Sequence, residues 1–197
     1  YVKMAVALSE QRNSVSSMLK VSPFADVSYN SWYAPYVFSA ASNKYLSGYI
    51  DGTFRPENNI TYEEAITVIM RLLGYKDDQF MYSWPYGQVS AAKSQGISDG
   101  VNRNIGDLVT RGDVAAMLFN MLDANVYGTT TKYINKLGFT LYEDVILIAT
   151  HSKDSAVQDG YISTSEGTFA IKNDFDETNV GCKGDLLLDN NTVIAFS

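Results

Sequence analysis

The feature that most constrains this chain is an amphipathic helix pattern written twice, with the second copy 49 positions after the first. Both copies place apolar residues at the spacing of one buried helix face. These positions are Ala65, Val68, Ile69, Leu72 and Leu73 in one copy, and Val114, Met117, Leu118, Met121 and Leu122 in the other. A partial copy opens the chain, where Tyr1, Met4, Ala5 and Leu8 fit the same phase at a shift of 64. Repeats of this length predict modules that stack around a shared core, which favours a binding module over an enzyme.

Local signals place the ends of these helices. Thr61 followed by Glu64 predicts a capping box, Gly74 fits a helix C-terminus, and Thr110 with Asp113 repeats the cap 49 positions later. The first long helix ends within residues 1–9, and shorter helices are predicted over 31–44 and 83–95. Residues 10–23 are a polar connection, with a helical turn at Val15–Leu19 as one option.

The pattern changes to short strands after Gly128. Continuous or alternating apolar runs bounded by turn residues predict strands at 145–149, 161–164, 168–171, 185–188 and 193–196. Ser165-Glu166-Gly167 and Asp189-Asn190-Asn191 are typical hairpin connections. The fold class is therefore α+β and multidomain, with a helical repeat unit over 1–128 and a small antiparallel β barrel or sandwich over 129–197. The repeat copies are 1–22 (partial), 23–78 and 79–128.

An ordered motif series fills the segment before the central helix. It runs through Phe24-Ala25-Asp26-Val27, then Trp32, then Gly48-Tyr49-Ile50-Asp51-Gly52-Thr53-Phe54-Arg55-Pro56, then Ile60-Thr61 with Glu64-Ala65. This series resembles the S-layer homology family. Residues 80–122 fit more loosely, through Trp84, Gly96-Ile97 and Val109-Thr110-Arg111, and they lack the Asp-Gly-x-Phe-x-Pro turn. The resemblance covers about the first two-thirds of the chain.

The resemblance implies three repeats about a pseudo-threefold axis, with grooves that bind secondary cell wall polymers, often pyruvylated. The family's groove arginine matches Arg111, next to the cap Thr110, although a solvated first-turn arginine is the alternative. A helix N-terminus and a guanidinium together suit a carboxylate ligand. Tyr62 occupies the matching position of the central copy, where it offers a sugar-stacking ring but no cation. Trp32 and Trp84 are either packing residues or groove walls that stack on sugars.

Charge and composition exclude several classes. The net charge is −7, with about −2 on residues 1–128 and −5 on 129–197, so no basic surface favours a nucleic acid partner. No apolar run is long enough to span a membrane. The single cysteine, Cys182, excludes an intramolecular disulfide and leaves the compartment open. The only histidine, His151, lacks metal-ligand partners, the Asp51 loop lacks calcium-ligand spacing, and Asp174, Asp176 and Glu177 are typical of a solvated loop. The expectation is no catalytic residue, no metal and no cofactor.

The sequence thus predicts a non-enzymatic, extracellular module that anchors a larger protein to the wall of a Gram-positive-type bacterium. Its partner would be a secondary cell wall polymer, including pyruvylated glycans. Two alternatives stay open at this point. The chain could be the anchor of an extracellular glycan-degrading enzyme, or it could be a self-associating S-layer or adhesin component without polymer binding.

Overall fold

A computed structural model describes residues 1–15, 23–172 and 175–197. These residues divide into two compact units, Tyr1–Tyr133 and Ile134–Ser197. Most of the predicted turn at Val15–Leu19, and Asp174 of the acidic cluster, lie outside the described residues. The structure combines helices with a five-stranded sheet, in agreement with the predicted mixed class.

The helices of the described residues are α1 (Val2–Ala7), α2 (Ala34–Ser42), α3 (Tyr62–Leu72), α4 (Tyr86–Ser94), α5 (Arg111–Asp123) and α6 (Tyr133–Lys136). The long helices α3 and α5 begin directly after the predicted caps. At α3, the Glu64 carboxylate accepts the backbone N–H of Thr61 at 3.0 Å, and Gly74 follows the helix in a left-handed conformation with φ of +94°.

The buried stripe of α3 and α5 forms the core of the first unit. All five predicted apolar positions of α3 and its C-terminal end are buried, and so are those of α5 except the half-buried Leu122. The helix α3 packs against α4 and α5, and α1 packs against α2. Two tyrosine hydroxyls tie distant segments of this unit together, since Tyr1 donates to the Ala65 carbonyl at 2.8 Å and Tyr133 to that of Leu8 at 2.9 Å. The pseudo-threefold arrangement stays a prediction.

The loop between α2 and α3 is held by local hydrogen bonds. The Asp26 carboxylate accepts the backbone N–H groups of Phe54 and Arg55 at 2.8 and 2.6 Å. The corresponding loop before α5 is shorter, because 13 positions separate Gly48 from Thr61 and only 10 separate Gly100 from Thr110. The repeat that lacks the turn motif thus also has the shorter loop.

The second unit is a sheet whose five described strands pair in a closed order. The strands are β1 (Phe139–Thr150), β2 (Tyr161–Thr164), β3 (Gly167–Ala170), β4 (Lys183–Asp189) and β5 (Thr192–Phe196). They are ordered β1-β2-β3-β5-β4, with β4 pairing back to β1. The pairs are antiparallel, as predicted, except that β3 and β5 pair in parallel through Ala170 and Thr192.

Side chains of these strands alternate between the two faces of the sheet, and the buried ones form the second core. The inward residues are Val145, Leu147, Ile162, Phe169, Leu186, Leu188 and Val193. The β4–β5 connection falls at the predicted hairpin, but Asp189 belongs to β4 and the turn itself is Asn190 and Asn191, which have positive φ of 46° and 67°. Within the described parts of the chain, the helices all fall short of the length and apolar character needed to cross a membrane.

Candidate functional site: two grooves in the helical unit

The start of α5 is organised by reciprocal hydrogen bonds. The Asp113 carboxylate accepts the backbone N–H of Thr110 at 2.8 Å, and the Asp113 N–H donates to the Thr110 hydroxyl at 3.2 Å. Arg103 forms an ion pair with the same carboxylate at 2.9 Å. The Thr110 backbone N–H and hydroxyl, together with Arg103, hold the pKa of Asp113 below its usual value. This carboxylate is therefore already engaged by Thr110 and Arg103.

Arg111 begins α5 with an exposed side chain. The arginines Arg55, Arg71 and Arg103 each lie within 3.0 Å of an aspartate carboxylate. No carboxylate of the described residues lies within ion-pair distance of Arg111. Its guanidinium is thus available to an external anion, and it stands at the helix end whose dipole favours negative charge.

Arg111 lines a groove of about 400 Å³, here called the Arg111 groove. Residues of α1, of α2 and of the segment directly before α2 also line this groove. Lys3 of α1 places its ammonium 5.8 Å from the Trp32 ring centre and 5.6 Å from that of Tyr36. Trp32 packs edge-on against Tyr36 and keeps 70% of its surface exposed. The groove therefore combines two cations with exposed aromatic faces.

The rest of the Arg111 groove adds polar groups from the loop before α3. The carboxylate of Glu57 and the carboxamides of Asn58 and Asn59 line this side. Two cationic side chains thus face one carboxylate, and this balance favours an anionic ligand. Aromatic faces beside hydrogen-bonding groups suit a sugar ring, and a guanidinium grips a carboxylate with two parallel hydrogen bonds. The arrangement can hold a sugar that carries an acidic substituent.

Trp84 lies in a different groove of the same unit, with a volume of about 580 Å³. Its indole Nε1 donates to the Thr67 hydroxyl of α3 at 3.0 Å, and 55% of its surface is exposed. The two tryptophans that the sequence marks as equivalent therefore line two separate grooves. Both are more than half exposed.

Tyr62 has no place in either groove. Its side chain is 1% exposed and its hydroxyl lies 2.6 Å from that of Ser98. A ring buried to this extent has no free face for a sugar, so the predicted stacking role is removed. The physical reason is that its backbone N–H donates to the Asp107 carbonyl, which brings the last loop over the start of α3.

Sequence reasoning did not single out Lys3 or Tyr36. Lys3 lies between Tyr1 and Met4, two apolar positions of the partial first copy. Only the packing of α1 on α2 brings its ammonium over the rings of Trp32 and Tyr36. The available signal was a lysine next to the buried stripe, because such a side chain can lay its aliphatic part along apolar groups and keep its ammonium exposed.

The only histidine of the chain lies in the second unit. His151 follows β1, where its Nδ1 donates to the Val157 carbonyl at 2.6 Å. In residues 1–15, 23–172 and 175–197, no cluster of three or more histidine, cysteine or acidic side chains could hold a metal ion.

A match to a known protein family falls within the first unit, which carries both grooves. Residues 23–66 match the model of the S-layer homology domain, so this chain contains an S-layer homology domain. The match covers α2, the loop that Asp26 holds and the first turn of α3. No solved structure matches the chain.

Several curated proteins are similar to this chain over part of its length. A cell surface protein of Thermoanaerobacter kivui is 29% identical over 72% of the chain and 19% of its own length. A surface layer protein of Brevibacillus choshinensis is 29% identical over 70% of the chain and 12% of its own length. An exoglucanase of Acetivibrio thermocellus is 30% identical over 51% of the chain and 11% of its own length. The chain spans less than a fifth of each of these relatives.

Proposed function

We propose that residues 1–133 form a non-catalytic module that attaches a larger protein to the bacterial cell wall by binding a secondary cell wall polymer in the Arg111 groove. The location would be the extracellular face of a Gram-positive-type bacterium. The observation that carries the proposal is the guanidinium of Arg111, which has no carboxylate partner among the described residues and lines the same groove as Lys3 and Trp32.

The geometry favours an acidic glycan over other polymers. Arg111 and the N-terminus of α5 would bind the carboxylate of an acidic substituent such as pyruvate. Trp32 would stack on the sugar ring, and Lys3, held over the same aromatic wall, would neutralise a second anionic group. Thr110 would contribute by holding the first turn of α5 in place. The acidic charge of the chain disfavours nucleic acid in this role.

Two other functions remain as alternatives. The similarity to an exoglucanase favours, for part of the chain, an anchor that belongs to a glycan-degrading enzyme with its catalytic domain elsewhere. The similarity to a surface layer protein favours a self-associating lattice component. In each case the second unit would serve as a spacer, as a rigidifying partner or as the start of a displayed region.

The test is sedimentation of the full chain with purified wall glycan before and after chemical removal of its acidic substituents. We expect Arg111→Gln to weaken binding by about 10- to 100-fold, because hydrogen bonds to a charged group contribute about 1.5–3 kcal/mol. Arg111→Lys keeps the positive charge but loses the planar guanidinium that can donate two parallel hydrogen bonds. Its affinity for the glycan should therefore lie between those of Arg111→Gln and the parent chain.

The matched control is Lys93→Gln, which removes one exposed cation near the end of α4, away from both grooves. It should bind like the parent chain. Equal co-sedimentation of Arg111→Gln and Lys93→Gln would remove Arg111 from the site. Equal binding to glycan with and without acidic substituents would refute carboxylate recognition.

A further inference from the structure

We infer that the outer face of strands β1, β4 and β5 is a docking surface for a basic amphipathic helix of a partner protein. The surface is a row of apolar side chains, here called the Leu187 row, formed by Leu141, Leu187, Ala195 and Ile194. It belongs to the second unit, and it does not depend on the function proposed for the Arg111 groove. The strand register, the exposure of the row and the charges beside it support this assignment.

The strand register aligns the row across three neighbouring strands. Leu141 pairs with Leu187, and Leu187 pairs with Ala195. The neighbours of Leu187 along β4, Leu186 and Leu188, are buried in the second core. Because successive side chains of a strand point to opposite faces, Leu187 and its partners lie on the outer face, where Leu141 is 43% exposed. Neighbouring strands are about 5 Å apart, so the row extends over about 10 Å.

A bulge in β5 adds a fourth apolar residue to this face. Leu187 and Leu188 of β4 pair with Ala195 and Val193. Ile194 lies between these two residues of β5 and is therefore the extra residue of the bulge. Val193 is buried in the second core, whereas Ile194 is 39% exposed and Ala195 is also exposed. Two consecutive residues of β5 thus stay outside the core, which regular alternation would not allow.

Two aspartates of β4 lie on the same face, one on each side of the row. Asp185 and Asp189 are two positions before and after Leu187, so each lies about 7 Å from it along the strand. One oxygen of each carboxylate accepts a local hydrogen bond, from the Asp144 N–H at 3.1 Å and from the Asn190 side chain at 2.9 Å. Among the described residues, no lysine or arginine lies within ion-pair distance of either carboxylate. The row is therefore bordered by uncompensated negative charge.

This charge discriminates between possible occupants of the row. The one lysine of β4, Lys183, is already paired with Asp144 at 2.9 Å. A second copy would bring the same two aspartates to the row, and the chain has a net charge of −7, so like charges oppose self-association at this face. Anionic lipid headgroups would be repelled for the same reason. A partner whose apolar side chains are flanked by lysine or arginine is complementary to both the row and its borders.

The dimensions of the row suit an α-helix laid across the three strands. Apolar residues at i, i+3 or i+4, and i+7 of a helix span about 10 Å, because each residue adds about 1.5 Å of length. This span equals that of the row from Leu141 to Ala195. Basic residues on the two borders of the apolar helix stripe would then lie over Asp185 and Asp189, which stand on opposite sides of the row. The geometry and the charge thus agree on one kind of occupant.

The probe is a labelled peptide of about 14 residues, with leucine at every third or fourth position and lysine at most others, titrated onto the full chain. We expect saturable binding at low salt that weakens at about 0.5 M NaCl, since salt screens exposed charges. A control peptide with glutamate in place of lysine should bind at least about ten-fold more weakly. Equal binding of the two peptides, or no saturable binding of the lysine peptide, would overturn the inference.

Paired variants assign the binding to the Leu187 row. Leu187→Thr removes apolar surface but places a β-branched residue on the strand, and it should weaken binding of the lysine peptide by about three- to ten-fold. Asp185→Asn keeps an oxygen that can accept the Asp144 N–H, and it should weaken binding by about two- to five-fold at low salt. The matched controls are Ile148→Thr and Asp159→Asn, which alter an exposed isoleucine of β1 and an exposed loop aspartate outside the row.

The two control variants should bind the lysine peptide like the parent chain, and so should Arg111→Gln, because the row and the Arg111 groove belong to different units. Equal losses in Leu187→Thr and Ile148→Thr would indicate unspecific attraction to an acidic chain and would refute the site. If circular dichroism shows that Leu187→Thr does not fold, Leu141→Thr tests the end of the same row with the same expected loss. If the parent chain forms a dimer in sedimentation equilibrium that Leu187→Thr dissociates, the occupant is a second copy and the inference is wrong.

Discussion

Gly48 and Gly52 provide a direct test of how the loop between α2 and α3 is held. Both residues have positive φ, +68° and +78°, which any other residue adopts at a cost. A Cβ atom at Gly48 would overlap the Phe24 ring and lie 2.9 Å from the Thr53 carbonyl oxygen, whereas a Cβ at Gly52 would meet nothing within 4 Å. The backbone strain is thus similar at the two positions, and only Gly48 adds a steric conflict.

The magnitudes follow from these two contributions. Strain in the left-handed region costs about 1–2 kcal/mol, and alanine recovers about 0.4–1 kcal/mol by restricting the unfolded chain. Gly52→Ala should therefore lower the free energy of unfolding by about 1 kcal/mol. At Gly48, overpacking adds about 1–3 kcal/mol. Phe24 cannot swing away freely because it is buried and stacked on Phe54 with 5.6 Å between ring centres, so Gly48→Ala should lose about 2–4 kcal/mol in total.

Urea unfolding followed by tryptophan fluorescence measures this difference, since both tryptophans, Trp32 and Trp84, lie in the first unit. Equal midpoints for Gly48→Ala and Gly52→Ala would refute the argument that close approach, rather than φ alone, requires glycine at position 48. The same data give the slope of the free energy of unfolding against urea concentration. A lowered slope in either variant would indicate that the substitution changes the folded or unfolded ensemble as well as the stability.

Two more predictions concern polar contacts of the first unit. Tyr133→Phe removes the hydrogen bond to the Leu8 carbonyl and should lower the free energy of unfolding by about 0.5–1.5 kcal/mol, measured in the same urea assay; an unchanged midpoint would contradict it. Hydrogen bonds from Thr53, followed by Arg55, lower the pKa of Asp51 to about 2. Because this folded-state pKa lies below the unfolded value of about 3.9, the contribution of Asp51 is present above pH 4 and lost as the pH falls from about 4 to 2. Asp51→Asn should therefore flatten the decline of the urea midpoint over that window, and a parallel decline would count against it.

The elements that sequence predicts best are those decided by local pattern. The apolar stripe of α3 is buried along the whole helix, and the Thr61 cap has the hydrogen bond that its spacing implies. The β4–β5 turn follows from the tolerance of Asn190 and Asn191 for positive φ. These features depend on neighbours within a few residues, so a single sequence is sufficient.

The candidate site depends on contacts between distant residues, which explains what the sequence could not predict. Tyr62 and Arg111 occupy equivalent first-turn positions, yet the loop through Asp107 covers one and leaves the other exposed. Lys3 reaches the aromatic wall only through the packing of α1 on α2. The parallel contact of Ala170 with Thr192 likewise has no local signature, because it joins strands that are not consecutive.

The closed pairing order of the β unit has a consequence for behaviour at high local density. A sheet with an unpaired edge can accept strands from neighbouring molecules, and closure denies them that template. The closure here passes through a single parallel residue pair, Ala170 with Thr192, while β1 and β4 are joined along six pairs. Any opening of the ring would therefore begin between β3 and β5, and the edges exposed there would be the first place for one copy to cross-pair with another.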